Sequence, residues 1–203
     1  MVGGELYQNV RDTNATKCDF TIEKIEGRPQ ARLVVEDNDP VGFVDLTHAY
    51  KVFAPSAKKE DPEKAGRFNL GEKYVLSMCY TAKIETTSGT IEFNDEGRFN
   101  YPKRKRAVGT RFEAIIRCTG EQYQQFLEFI PKLIVRPGLT VTLNGKNLPI
   151  REPIKTFNEP LRTEIGEDLR PSIRKTDIEV YEAVNGTGIL YELGIPVVET
   201  EDK

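Results

Sequence analysis

Glu5-Leu-Tyr-Gln-Asn9-Val-Arg-Asp12, the link Thr13-Asn-Ala-Thr16, a strand-like run to Val35 and then Asp37-Asn-Asp-Pro-Val-Gly42-Phe43 form the stretch on which the fold turns. On a helix Glu5, Asn9 and Asp12 stand at i, i+4 and i+7 and share one face, so acid and amide groups point at one place. An exposed amphipathic helix also gathers polar residues on one side. The acidic, glycine-containing loop one strand later favours a site over that plainer reading.

Downstream, Phe43, Leu46, Tyr50 and Phe53 recur at helical spacing, a stripe that reads as core packing. Ala54 to Lys64 is charged, holds two prolines and reads as a loop, and Glu72 to Tyr80 reads as a helix opening on Gly71. Strands then take over. Lys83–Thr87 and Thr90–Phe93 flank the hairpin signal Ser88-Gly89, and Asn94-Asp-Glu-Gly97 turns into Arg98–Tyr101. Arg111 to Cys118 is a further strand, and Thr119-Gly-Glu-Gln122 is a capping box for a helix through Leu133 that buries Tyr123, Phe126, Leu127 and Ile130. Leu139–Leu143 and the strand after Asn144-Gly145 form another hairpin. The expected outcome is a two-layer α/β (α+β) sandwich, a mixed and mostly antiparallel sheet with helices on one face. Residues 1–150 are its core. Residues 151–203 add strands at 153–164 and 175–183 and a short buried segment at 188–196, which complete the sheet or begin a second domain.

The order Glu-x-x-x-Asn-x-x-Asp, Ala-Thr, strand, Asp-Asn, Gly42-Phe43 resembles the N-box and first glycine box of the GHKL ATPases, the superfamily of gyrase B, the ninety-kilodalton heat-shock chaperones, histidine kinases and MutL. Gly66-Arg-Phe-Asn69-Leu-Gly71-Glu-Lys73 resembles the second glycine box, and Val108-Gly109-Thr110 the Gly-Thr motif. The match is nearest the chaperone, MutL and MORC branches, and it implies a Bergerat-type ATP-binding fold. Residues 54–71 then fall in the ATP-lid, where Ser56-Ala-Lys58 resembles a Ser-x-Lys element. The chain departs from the pattern with Asp39 and Asn69 at glycine positions and one extra residue before Gly42. Asp and Asn tolerate the left-handed backbone region best among non-glycine residues, so both turns are expected to survive. Only Met1–Gly4 precede Glu5, where the family places a strand. The chain is therefore read as a fragment lacking that strand, with a frayed end on the helix that bears Glu5.

What ATP demands is an acceptor for the adenine amine in an apolar slot, a cation and N–H groups for its phosphates, and a positioned water. The resemblance assigns Asp37 to the amine, Asn9 to a magnesium ion bridging the phosphates, and Asp12 to the neighbourhood of that ion and the ribose. It gives Glu5 the attacking water, Gly42 the close approach of backbone to base, and Thr110 a supporting role through Asp37 or water. Gly66, Asn69 and Gly71 offer N–H groups to the phosphates, with Ser56, Lys58 and Lys73 as further contacts. The cofactors implied are ATP or ADP and Mg2+, with homodimerisation on ATP binding and a client protein or DNA as further partners. The function implied is a magnesium-dependent ATPase module, slow in isolation, and the alternative is a nucleotide-binding scaffold without turnover.

Composition is in keeping with a compact domain. The 203 residues are 38% apolar, enough for one core, and no run of eighteen apolar residues or charged-then-apolar leader appears, so no membrane is implied and a cytoplasmic setting is expected. Cys18, Cys79 and Cys118 are far apart and His48 is the one histidine, a pattern that points to neither a disulfide framework nor a zinc site. A net charge of -3 argues against nucleic-acid binding over the whole surface. Lys103-Arg-Lys-Arg106 is a local exception, read as a solvated turn rather than a phosphate contact because no aromatic interleaving supports it.

Overall fold

The structure is a computed structural model that describes residues 2–43, 46, 71–165, 170–183 and 186–200. It divides into two units, residues 1–149 with 193–195, and residues 150–192 with 196–203.

The first unit begins with helix α1 (Val2–Arg11), in which Val2, Gly3, Leu6, Tyr7 and Val10 fall on one buried face. Strands β1 (Lys17–Lys24) and β2 (Gln30–Asp37) follow, then helix α2 (Gly71–Ser77) and strands β3 (Cys79–Glu85), β4 (Thr90–Asn94), β5 (Gly97–Tyr101) and β6 (Arg111–Arg117). Helix α3 (Gly120–Phe129) and the short strands β7 (Thr140–Leu143) and β8 (Lys146–Asn147) complete it. One eight-stranded sheet results, in the order β5-β4-β3-β6-β2-β1-β7-β8. Its pairings are antiparallel except β1 with β7, which run parallel with Cys18 opposite Val141.

Alternation along the strands divides the sheet into two faces. Cys18, Phe20 and Ile22 of β1, Ala31, Leu33 and Val35 of β2, and Phe112, Ala114 and Ile116 of β6 are buried, and they pack with Leu6, Tyr7 and Val10 of α1, Val75 of α2 and Phe126 of α3. The register sets Val35 opposite Phe20 on one side and Phe112 on the other, so bulky residues stack in rows across strands. The opposite face carries Glu23, Arg32, Glu36, Arg111 and Glu113, which the chain neutralises internally, as described below.

Thr119 caps α3 as expected. Its hydroxyl accepts from Gln122 N, the Gln122 side chain accepts from Thr119 N, and Pro131 follows where the α-helix gives way to a short 3-10 turn. The helix expected to run through Leu133 therefore ends at Phe129, and two further helix ends differ from the sequence reading. The helix expected to reach Tyr80 stops at Ser77, and Cys79 and Tyr80 already belong to β3, because the chain must turn there to pair with β6. The end of α1 is packed rather than frayed: Val2, Gly3 and Gly4 are buried, and a Cβ on Gly3 would stand 2.6 Å from Ile130 Cδ1. The stripe from Phe43 to Phe53 falls outside the described residues apart from Phe43 and Leu46, both of which pack against the core. The three cysteines are free, and burial pushes the Cys79 thiol up to about 12 and raises that of Cys18, so both behave as small apolar groups.

In the second unit β9 (Lys155–Ile165) pairs with β10 (Arg170–Val180), and β11 (Gly188–Glu192) pairs with β12 (Ile195–Thr200), as separate two-stranded sheets. The segment expected to be buried at 188–196 is instead a hairpin with Leu190 58% exposed.

Candidate functional site

The loop that leaves β2 is built almost entirely from its own polar side chains. Asp37 closes the strand, and its Oδ1 accepts from two backbone groups, Asp39 N at 2.9 Å and Thr110 N at 3.2 Å. Asp39 Oδ2 accepts from Gly42 N at 3.1 Å, and the Asp39 carbonyl accepts from Gly109 N at 2.9 Å. Phe43 N donates to the Thr110 hydroxyl, and the Phe43 carbonyl accepts from the hydroxyls of both Thr86 and Ser88 at 2.8 Å, while the Thr87 hydroxyl donates to the Val41 carbonyl. Asx and Ser/Thr side chains here replace the strand ladder that the backbone has left.

Two glycines let these segments approach. Gly42 has φ +67, and a Cβ there would lie 3.0–3.1 Å from Thr86 Oγ1, Gly109 O and Thr87 Oγ1. At Gly109, with φ +75, a Cβ would stand 1.9 Å from the Asp37 carbonyl, a distance no side chain survives.

Helix α1 forms a separate wall. Its apolar face is fixed by the core, which leaves Glu5, Gln8 and Asn9 half-buried on the other side. Tyr7 is fully buried, donates to Ile134 O at 3.1 Å and accepts from Arg136 N at 3.4 Å. The Arg136 guanidinium gathers the carbonyls past the helix end, those of Arg11 and Thr13 at 3.1 Å and Ala15 at 2.5 Å, a cation placed where the helix dipole is negative. Asn38 then ties the two walls together: its Oδ1 accepts from Thr16 N and Lys17 N at 2.9 Å and its amide donates to the Thr16 hydroxyl at 2.8 Å.

Electrostatics distinguish Asp37 from its neighbours. Burial raises its carboxyl above the ordinary range, the N–H groups of Asp39 and Thr110 counter that, and the charge of Asp39 adds to the rise. Burial acts on Glu36 and Glu113 too, but there hydrogen bonds from arginines outweigh it and hold both below the ordinary range. Arg106 and Arg111 share Glu36 at 2.5 and 2.7 Å, Arg111 reaches Glu113 at 3.2 Å, and Arg32 reaches Glu113 at 2.7 Å and Glu23 at 3.4 Å, so a ladder of alternating charge crosses the open face. Within the basic run Arg106 is thus engaged, and Arg104 stacks over Tyr101 at 4.0 Å.

No family model matches the chain, and no curated protein matches it. Solved structures do. The chain is similar to the ATPase region of Saccharomyces cerevisiae topoisomerase II bound to ICRF-187 (dexrazoxane), at 11% identity and TM-score 0.54 over 80% of this chain and 57% of that one. It is also similar to the ATPase and transducer domains of DNA topoisomerase II from Balamuthia mandrillaris, at 13% identity and TM-score 0.53 over 79% and 55%. A second structure of the yeast ATPase region gives 14% identity and TM-score 0.51 over 80% and 56%. The fold is that of these ATPase regions, a mixed α/β fold built on a large, mostly antiparallel sheet. The chain spans little more than half the length of these neighbours.

Within this fold, Glu5 and Asn9 lie on α1, Asp37, Gly42 and Thr110 meet in the loop cluster, and Gly71 opens α2. Asp12 lies just past α1 with a carboxylate that has no exposed surface, its Oδ1 3.7 Å from Arg11 Nη1. Thr110 holds Asp37 by its backbone N–H rather than its hydroxyl, which instead accepts from Phe43 N. Ser56, Lys58, Gly66 and Asn69 lie outside the described residues, as does the Lys73 side chain. Sequence reasoning missed Asn38, Asp39, Thr86, Ser88 and Arg136. The first four are common turn formers whose partners are distant in sequence, and only the density of Asx and Ser/Thr residues flagged them.

Proposed function

We propose that the chain is a magnesium-dependent ATP-binding module that hydrolyses ATP slowly, from a chaperone-like or DNA-processing GHKL protein. The observation that carries this reading is the fixed carboxylate of Asp37. One oxygen is held by two backbone N–H groups, which orients the group as an acceptor for an exocyclic amine beside the closely packed Gly42 and Gly109. An adenine has that amine, and an uncharged acceptor-donor pair at the same spot would not match it.

The half-buried polar face of α1 fits the phosphate end. Asn9 offers an amide oxygen of the kind magnesium takes, and Glu5, one turn nearer the N-terminus, is the general base that orients a water. A bound magnesium ion would neutralise phosphate charge, and phosphoryl transfer asks for little more than placement and neutralisation. The chaperone, MutL and MORC affinity rests on the Ser56-Ala-Lys58 element ahead of the second glycine box. Homodimerisation on ATP binding, a cytoplasmic setting and a second domain beginning near residue 151 belong to the same proposal. In support of the second domain, strands β9 to β12 pair only with one another among the described residues.

Calorimetric titration with ATP, with and without magnesium, tests the reading. Saturable binding strengthened by magnesium is expected, and no binding under either condition overturns it. Binding with no phosphate release in a single-turnover assay favours the scaffold reading instead.

A further inference from the structure

Asp39 stands where the GHKL pattern has glycine, in a loop one residue longer than that pattern. It is 5% exposed and bonds to three residues at once, two in its own loop and one beyond it: its N–H to Asp37 Oδ1, its Oδ2 to Gly42 N, and its carbonyl to Gly109 N. The side-chain bond spans three residues and closes a turn around Pro40 and Val41, the latter 55% exposed. Among the described residues its Oδ1 is buried with no hydrogen-bond partner. A buried carboxylate oxygen without a partner is costly, and a residue that merely filled space there would be apolar or absent.

From this we infer that Asp39 is a positioning residue that compensates for the extra loop residue, holding Gly42 against Gly109 so that Asp37 keeps its orientation toward a purine base. The inference rests on the proposed nucleotide site for its ligand but not for its geometry. Asp39 contacts no reacting atom in this scheme. It acts through Asp37, and the charged groups that bear on Asp37 are Asp39 itself and Arg106.

The shortened loop of Asp39→Gly combined with deletion of Val41 has the spacing of the resembled box and does not need the side-chain bond. Amide hydrogen exchange on the nucleotide-free protein is the first measurement. Gly42 and Gly109 N–H are expected to be protected in wild type and to exchange at least about tenfold faster in Asp39→Gly, and Gly109 N–H, whose acceptor is the residue-39 backbone carbonyl, is expected to recover in the shortened variant. Titration with ADP is the second: a loss of roughly tenfold or more in Asp39→Gly, recovery to within a few-fold on shortening, and near wild-type affinity in Asp39→Asn, whose amide oxygen still accepts from Gly42. The acid midpoint of ADP binding should also fall in Asp39→Asn, since one negative charge beside Asp37 is gone. Unchanged exchange in Asp39→Gly, failure of the shortened loop to recover Gly109 protection, or a tenfold loss of protection in a folded Asp39→Asn overturns the inference. Wild type that shows protected amides but binds no ADP leaves the loop inference standing and removes the nucleotide reading.

Discussion

In the proposed nucleotide site a single carboxylate, Asp37, decides what the loop cluster would bind. In Asp37→Asn the amide oxygen still accepts from Asp39 N and Thr110 N, so the fold survives, but the other atom becomes a donor facing an amine. Leaving that buried donor unmet costs about 1–3 kcal/mol, roughly one to two orders of magnitude in ATP affinity. Calorimetry on both proteins checks this, and equal affinities would remove Asp37 from the base site. At this scale the sequence was legible where chemistry alone identifies a residue. Asp37, Gly42 and Thr110 are recognisable by type and order, and they do meet. Asn38 and Asp39 were not, because an Asn or Asp in a turn is common and its value here lies in partners such as Thr16 and Gly109 that no local pattern names.

At the scale of elements, the proposed function gives α1 two separable roles. Asn9→Ala should remove the magnesium dependence of ATP binding and leave adenosine binding nearly unchanged, since only phosphates use the ion; titrations of both ligands with and without magnesium read it out. Glu5→Ala should keep ATP affinity within a few-fold and lower turnover by on the order of 10²–10⁴, measured in single turnover, where robust hydrolysis in the variant would eliminate Glu5 as the base. Both roles depend on where the helix ends. Arg136→Ala frees the carbonyls of Arg11, Thr13 and Ala15 at once, and a loss of about 2–3 kcal/mol is expected in denaturant unfolding, with weaker ATP binding as the helix end loosens. The helices and hairpins were readable because their signals are local: the Thr119 capping box, the Asn144-Gly145 turn and the apolar stripe of α1. The parallel pairing of β1 with β7 was not, since strand partners distant in sequence leave no periodic trace.

For the molecule as a whole, two opposed acid responses are built in. Glu36 and Glu113 are held below the ordinary carboxylate range, so their stabilisation is full above the unfolded value of about 4.3 and is lost as pH falls through their folded values. Asp37 is raised, so it penalises folding once ionised and that penalty is relieved on acidification. The ladder joins more groups, and thermal melts should therefore show net destabilisation below about pH 4, blunted at high salt because the pairs are partly exposed. Melting temperatures flat with both pH and salt would show that the ladder contributes nothing.

The strand order also governs when a growing polypeptide acquires its shape. Asp37 is translated before Thr110, which orients it, and Asn9 before Arg136, which anchors its helix, and β1 waits for β7 to cover its free edge. Until roughly residue 143 has been translated, β1 presents unpaired backbone groups that invite mispairing. The residues of the proposed site are thus mostly made long before the strands that frame them, and synthesis of this domain is a period of exposure that ends nearly all at once.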